Sequence, residues 1–373
     1  MALSLMEGNE AIAWGAVTAG CRFYAGYPIT PATTIFNAMI KLLPPKGGIC
    51  IQGEDEIASI GACLGASMGG LKAMTATSGP GLSLYSEHIS FAIGSEIPIV
   101  IVVVQRLGPS TGSATRGADG DIQFMRWGSS GGLPVIVLAP IDVEDCFGLT
   151  MQAFNLAEAF RCPVFIASNK EIAMTKESVD LDAIPRPETV ERLAPLPGKP
   201  FLPFEVPADS EVPPFLPIGG EVLVRQTSST HGADGYITTD FDEIDRNQQR
   251  LNQKLMSAVD QFSIHQAYMA DDSDTLLIAY GVTARAAKEA FMAQRAAGDP
   301  VSLLVPKTIW PVPESLIKEK AKNAKRVVVI EMNTGQYVRE IERLLPDKQI
   351  DFFGQMNGKL ITPRQIREVI AHV

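Results

Sequence analysis

Four short segments carry most of the residues that could do chemistry in this chain. They are Tyr27–Pro28–Ile29–Thr30–Pro31, Glu54–Asp55–Glu56, Ser78–Gly79–Pro80–Gly81, and Gln105–Arg106 running into Gly108–Pro109–Ser110–Thr111–Gly112. Each directly follows a predicted strand. In an open parallel sheet, ligands bind beyond the carboxyl ends of the strands, so the four segments predict one shared site. Glu56 opens a predicted helix whose next turns are apolar and small. An acid there serves either as a helix-dipole partner or as a carboxyl facing an apolar pocket. Glu54 and Asp55 are at hand for the dipole role, which leaves Glu56 free to share a proton with a ring nitrogen. Thr30 lies between two prolines that hold its hydroxyl in place, or is an ordinary turn threonine. Arg106, following a buried strand, suits either a substrate carboxylate or a structural ion pair. Ser78–Gly81 resembles a phosphate loop in glycine content but lacks the Lys-Ser/Thr of a P-loop.

The elements that must position these residues alternate. Helical patterns over 9–19, 31–43, 56–69, 82–93 and 143–160 interleave with strand patterns over 22–25, 49–52, 72–75, 97–104, 134–138 and 164–167. That series predicts a mostly parallel sheet covered by helices on both faces. Gly61, Gly65 and Gly69 recur at helical spacing, and such a smooth face predicts a neighbour in close approach. Ten prolines between Pro185 and Pro217 mark an extended linker or wrapping segment. A polar helix follows over 242–262. A second α/β unit begins at Asp274, with strands over 275–279, 301–305 and 327–330 and helices over 283–296, 334–345 and 363–371.

The composition bounds the answer. At 373 residues, two domains are expected, and 46 % apolar with 20 % charged residues suits substantial cores. The net charge of -10 argues against nucleic-acid binding. The N-terminal residues lack a basic n-region and the longest apolar run is too short for a bilayer, so the chain reads as cytoplasmic, with no membrane insertion. The five cysteines include no Cys-x-x-Cys pair, which argues against a disulfide framework, zinc or an iron–sulfur cluster built from this chain alone. Histidines 88, 231, 265 and 372 show no ligand spacing, so no metal site is expected from them.

Taken together, these motifs resemble the α subunits of 2-oxoacid:ferredoxin oxidoreductases, which use thiamine diphosphate. The matching segments are Tyr27 to Pro31, Glu56 with Gly61–Ala62 and Gly65–Ala66, Thr77 to Gly81, Gln105 to Gly112, Val137 to Pro140, Leu277 to Gly281 and Glu331 to Gln336. The resemblance implies a pyrimidine-binding thiamine domain over residues 1–180, a proline-rich linker and docking segment over 181–270, and a transketolase C-terminal-like α/β domain over 271–373. It implies that Glu56 hydrogen-bonds N1′ of the aminopyrimidine, that Tyr27, Pro28, Ile29, Ser78 and Gly79 line the cofactor, and that Thr30 contacts the substrate or the thiazolium region. Arg106 would hold a carboxylate of the substrate or a polar part of coenzyme A, with Ser110, Thr111 and Arg116 as further substrate residues. The diphosphate site, Mg²⁺ and a [4Fe-4S] cluster are expected on a β subunit or other subunits. Small γ and δ subunits, ferredoxin and coenzyme A complete the implied partners.

The Gln105–Gly112 form looks most like the 2-oxoglutarate enzymes, which would make the reaction the CoA-acylating oxidative decarboxylation of 2-oxoglutarate to succinyl-CoA and CO₂. Those enzymes usually continue with a Thr-Lys-x-Glu-Gln-like stretch and a Gly-His-Gly turn. This chain instead has Thr115–Asp121 and Gly128–Gly132, and Arg116 and Arg126 are its candidate cations for a distal carboxylate, with residues of the β subunit as the alternative. Pyruvate, branched-chain or aryl 2-oxoacids are the alternative substrates, and a non-catalytic scaffold that keeps the thiamine fold is the alternative class.

Overall fold

Ile99–Gln105 is buried along its whole length, and its run of Ile and Val is what a central parallel strand covered on both faces requires. It sits in a seven-stranded sheet with the order Thr308–Trp310, Ile136–Leu138, Pro163–Asn169, Ile99–Gln105, Ala73–Thr77, Phe23–Gly26, Ile49–Gln52. All pairings in it are parallel except that of Thr308–Trp310 with Ile136–Leu138. The structure, a computed structural model, describes residues 3–195, 198 and 200–371; Pro197 and His372 lie outside the described residues. A five-stranded sheet forms the second unit, in the order Gln349–Gly354, Arg326–Glu331, Thr275–Ala279, Ser302–Pro306, His265–Tyr268, with only the last strand antiparallel. A small antiparallel pair joins Ser4–Glu7 to Lys176–Val179.

Most expected elements are present, and the differences have local causes. The helical stretch expected over 82–93 is two helices, Gly79–Leu84 and Ser86–Gly94, jointed at Tyr85, whose hydroxyl is buried against Thr75 Oγ1 at 2.8 Å. The helix expected over 334–345 starts only at Val338, because Asn333 to Gln336 form a turn held by Asn333 Oδ1. The polar helix after the linker is Phe241–Met256 followed by a short turn of helix, Val259–Phe262.

Helices Gly8–Thr18 and Val143–Phe160 lie side by side on one face of the large sheet. Gly15 makes that approach possible, since a Cβ there would sit 2.6 Å from the Phe147 carbonyl oxygen. Gly15→Ala should therefore destabilise the chain by about 1–3 kcal/mol through overpacking. Gly65→Ala, where a Cβ meets nothing within 4 Å, serves as the control in denaturant unfolding and should leave stability unchanged or slightly raised.

The proline-rich segment is a strap across the first unit. Proline carbonyls accept hydrogen bonds but their nitrogens donate none, so arginine side chains supply the donors, Arg161 from beneath and Arg192 from the strap itself. Arg161, itself in a left-handed conformation that closes Val143–Phe160, donates to the carbonyls of Pro203, Pro213 and Pro214 and to that of Glu96. Arg192 pairs with Glu158 at 2.5 Å, donates to the Ser67 and Leu71 carbonyls, and stacks on Phe215 at 4.3 Å. Glu96, wholly buried, then receives Arg250 at 2.6 Å and Lys254 at 2.8 Å from the polar helix, which fastens the end of the strap.

Candidate functional site

The four loops predicted to converge do so at the carboxyl edge of the large sheet. Asp55 caps Glu56–Met68, its side chain accepting from the Ala58 nitrogen at 2.7 Å. The capping role is thus taken, and Glu56 is free to turn inward, where it is 7 % exposed. It lies against the turn after Ala73–Thr77: a Cβ on Gly81 would fall 2.6 Å from Glu56 Cγ and 2.8 Å from its Oε1, and would also collide with Thr77 Oγ1. Gly81 is therefore glycine because the carboxyl needs the room. Ser78 is buried, and its hydroxyl has no hydrogen-bond partner among the described residues.

Arg106 and Thr30 meet directly. Arg106 Nη1 donates to the Thr30 carbonyl at 2.5 Å, which ties the end of Ile99–Gln105 to the loop after Phe23–Gly26. Tyr27 and Thr30 are exposed on this loop, with Pro28 and Ile29 half-buried beside them. Arg106 is 7 % exposed, its Nε is buried without a partner among the described residues, and burial holds its pKa below the ordinary arginine value against the opposing charge of Asp121.

After Arg106 the chain makes a closed loop: Leu107 donates to the Arg116 carbonyl at 2.8 Å, and Ser113 to the Leu107 carbonyl at 2.8 Å. Ser110 and Thr111 are exposed on this loop, with Ser110 at positive φ. Arg116 is exposed at its base, with its aliphatic stem against Gly358 of the second unit. Arg126 is committed elsewhere. It donates to the carbonyls of Gly132 and Leu133 and stacks on Trp127 at 3.8 Å, so it props its own loop.

Two carboxylates escaped the sequence reading of this site. Asp121 has its Oδ2 buried without a hydrogen-bond partner, only 3.1 Å from where a Gly79 Cβ would stand. Its backbone nitrogen donates to Gln105 Oε1 at 2.9 Å. Burial pushes its carboxyl up to about 6, with Arg106 pulling the other way. Asp119 accepts from Asn169 Nδ2 at 2.9 Å and is pushed up to about 7, first by burial and further by the charges of Glu331 and Asp121. The available signal was Asp119–Gly120–Asp121 itself, two acids around a glycine in the segment after the Arg106 loop.

The second unit holds this acidic segment. Asp119 donates to the Met332 carbonyl at 2.9 Å, Asn333 Nδ2 to the Asp119 carbonyl at 2.9 Å, and Gln336 Nε2 to the Gly120 carbonyl at 2.5 Å. Gln123 bonds Gln336 through both its backbone nitrogen and its side chain, and Trp310 Nε1 donates to the Ile122 carbonyl at 3.0 Å. Behind the clamp, buried Glu331 accepts from the Tyr280 hydroxyl, Asn333 Nδ2 and the nitrogens of Tyr337 and Val338.

Cys21, Cys63, Cys146 and Cys162 are buried free thiols and Cys50 is half-buried; burial pushes all five above their ordinary range. Among the described residues no group of three or more His, Cys, Asp or Glu side chains is placed to hold a metal, and no helix is long and apolar enough to cross a membrane.

Comparison with known proteins bears on this geometry. The thiamine-diphosphate-binding model of pyruvate flavodoxin/ferredoxin oxidoreductases matches residues 14–250, and the core domain II model of pyruvate:ferredoxin oxidoreductase matches 273–366. The 2-oxoglutarate synthase subunit KorA of Methanothermobacter marburgensis is 39% identical over 370 residues, covering 97% of this chain and 96% of its own. The ketoisovalerate oxidoreductase subunit VorB of Methanothermobacter thermautotrophicus is 33% identical over 373 residues, covering 100% of this chain and 98% of its own. Among solved structures, 2-oxoglutarate:ferredoxin oxidoreductase from Magnetococcus marinus, with 2-oxoglutarate, coenzyme A and succinyl-CoA bound, superposes with a TM-score of 0.92 at 32% identity. That match covers 99% of this chain and 64% of the other. With the thiamine-diphosphate-binding fold in its first unit and a second α/β unit behind it, the chain belongs to the 2-oxoacid:ferredoxin oxidoreductase family.

Proposed function

We propose that this chain is the pyrimidine-binding subunit of a 2-oxoglutarate:ferredoxin oxidoreductase of the CoA-acylating type. The observation that carries the reading is the convergence of Glu56, the Ser78–Gly81 turn, Thr30 and Arg106 at one sheet edge. The higher identity to a 2-oxoglutarate synthase subunit than to a ketoisovalerate subunit supports the choice of acid. In this reading residues 1–180 form the cofactor-facing domain, 181–270 the strap, whose end His265–Tyr268 joins the second sheet, and 271–373 the supporting domain, which lends Thr308–Trp310 to the first sheet.

The residues present suit the pyrimidine end of thiamine diphosphate. Glu56 is a near-buried carboxyl facing a turn stripped of side chains at Gly79 and Gly81, and the Ser78 hydroxyl beside it lacks a partner. When bound, thiamine diphosphate supplies the electron sink that lets a 2-oxoacid lose CO₂. Glu56 holds a proton at the ring nitrogen N1′, while the Tyr27–Ile29 loop and the Ser78–Gly79 turn keep the ring in place and exclude water. Thr30 presents its hydroxyl at the mouth of the site. Arg106 binds the substrate carboxylate, its buried Nε being the donor left open for that purpose. Ser110, Thr111 and Arg116 border the entrance and bear on the distal carboxylate or coenzyme A.

The diphosphate, Mg²⁺, the [4Fe-4S] cluster and the passage of electrons to ferredoxin belong, in this reading, to a partner β subunit and to any γ and δ subunits. An uncovered surface supports a partner: Ile57 is 45 % exposed, Gly65 is open four residues beyond Gly61, and Ile49 and Ile51 are exposed on the edge strand Ile49–Gln52. Among the described residues, His88 is the side chain that covers this glycine stripe, at Gly61.

The test is reduction of a low-potential viologen by the chain copurified with its partners, in the presence of coenzyme A. Fastest reduction with 2-oxoglutarate, dependent on coenzyme A, is the expected result. Preference for pyruvate, 2-oxoisovalerate or phenylglyoxylate would overturn the choice of acid. No reduction with any of them by an intact, cofactor-loaded complex would favour a scaffold subunit.

A further inference from the structure

We propose that Asp121 takes up a proton when a 2-oxoacid binds at Arg106 and then donates it in a hydrogen bond to the substrate, so that this side chain sets the pH range of substrate binding. The inference rests on the site proposed above and goes beyond it, since it gives a substrate-positioning role to a residue outside the four loops.

The geometry points there from two sides. Arg106 Nε and Asp121 Oδ2 are both buried and both lack a partner, although one is a donor and the other an acceptor. Their charges interact, yet the two groups do not close on each other as a hydrogen-bonded pair. The arrangement leaves a donor and an acceptor unpaired at the sheet edge, where the Asp121 carboxyl packs against Gly79 at a distance that a side chain there would not allow. A carboxylate entering here satisfies Arg106 but meets the Asp121 carboxylate. Two buried anions at such range cannot both stay ionised, and the group of higher pKa is protonated. Asp121 then becomes an O–H donor toward the incoming oxygen. The proton comes from solvent and balances the one carboxylate that enters at Arg106; the second carboxylate of the dianionic substrate lies outside this exchange.

Arg106, from the strand end, is the sole cation set against Asp121 in the balance of its charge. Asp119, on the same segment, and Glu331, behind it, add negative charge to the cluster. Glu56 faces Gly81, two residues along the turn from Gly79. Near neutrality the free site is thus poised with Asp121 mostly ionised, its carboxyl lying at about 6, and bound anion raises it further. Asn333 and Gln336 hold the backbone just before Asp121, and Gln105 Oε1 holds its own nitrogen, so the residue is fixed in place at the backbone.

Calorimetric titration of the assembled complex with N-oxalylglycine, a 2-oxoglutarate isostere whose amide carbonyl resists attack, tests this. Run at pH 7.5 in two buffers of different ionisation heat, it should show uptake of about one proton per site, and affinity should fall about tenfold per pH unit above neutrality. Asp121→Asn, which keeps a donor, should show no uptake and a flat profile, whereas Asp121→Ala should bind more weakly at every pH. Absence of proton uptake in the wild type, which needs no variant, overturns the inference and leaves the proposed function standing. Uptake kept in Asp121→Asn but lost in Asp119→Asn also overturns it. Failure to bind either the isostere or 2-oxoglutarate overturns the functional reading and this one with it.

Discussion

Glu56→Gln is expected to cut turnover of the assembled enzyme by about 10²- to 10⁴-fold, the range that a positioned acid–base group contributes. Assembly and melting temperature should be unchanged. The separation of these two outcomes follows from the surroundings of Glu56. Asp55 caps the helix, and the Glu56 carboxylate makes no hydrogen bond or ion pair with the described residues, so glutamine breaks no native contact. Glutamine has the same shape and fits the same space beside Gly81. What it lacks is a carboxyl able to hold and return a proton at a ring nitrogen. Single-turnover and steady-state rates, with the melting curve of the same preparation, check this. Normal turnover would remove Glu56 from the reaction; low turnover accompanied by a lowered melting temperature would make it a structural residue.

A larger effect on stability should come from Glu96. Glu96→Gln is expected to destabilise the chain by about 3–5 kcal/mol, the cost of breaking a buried pair by removing one partner. The reason is asymmetry. Replacing all members of a buried ion cluster by apolar groups is often nearly neutral, but deleting the single acid takes the carboxylate partner from buried Lys254 and half-buried Arg250 and removes the charge that offsets Arg161. Burial by itself would raise the Glu96 carboxyl; Lys254, Arg250 and Arg161 outweigh it and hold it at about 2, against an ordinary 4.5. A depressed acid contributes its stability above the unfolded value and loses it as pH falls. The contribution is therefore full above about pH 4.5 and disappears between there and about pH 2, and two to three pKa units correspond to about 3 kcal/mol. Denaturant unfolding at pH 7 and pH 3 for both proteins checks it: the difference between wild type and Glu96→Gln should be large at pH 7 and much smaller at pH 3. An equal difference at both would mean that the ion cluster does not carry the effect.

The two residues mark the limit of what a sequence reading reaches. The inward placement of Glu56 was legible because its local setting is short-range: a strand, two acids to occupy the helix start, a third acid, then small apolar residues. Arg106 and Thr30 were legible as neighbours because each ends a strand of one sheet, and the edge of a parallel sheet collects such ends. Glu96 was silent. It stands between Ser95 and Ile97 with no pattern around it, and its importance comes from a helix some 150 positions later.

By itself, then, the sequence determined the alternating elements, the sheet edge where chemistry gathers, and a strap recognisable by its prolines, because periodicity, turn residues and β-branching act within a few residues of one another. The tertiary structure alone decided the rest. It sent Thr308–Trp310 to the edge of the first sheet, bound Arg126 to its own loop, left the glycine stripe at Gly65 open, and turned Glu331 to Gln336 into a clamp that presents Asp119 and Asp121 to the site. Those outcomes rest on hydrogen bonds and charges between residues as many as 216 positions apart. Such pairings are set by which surfaces the packed sheets bring together, and no local pattern encodes them.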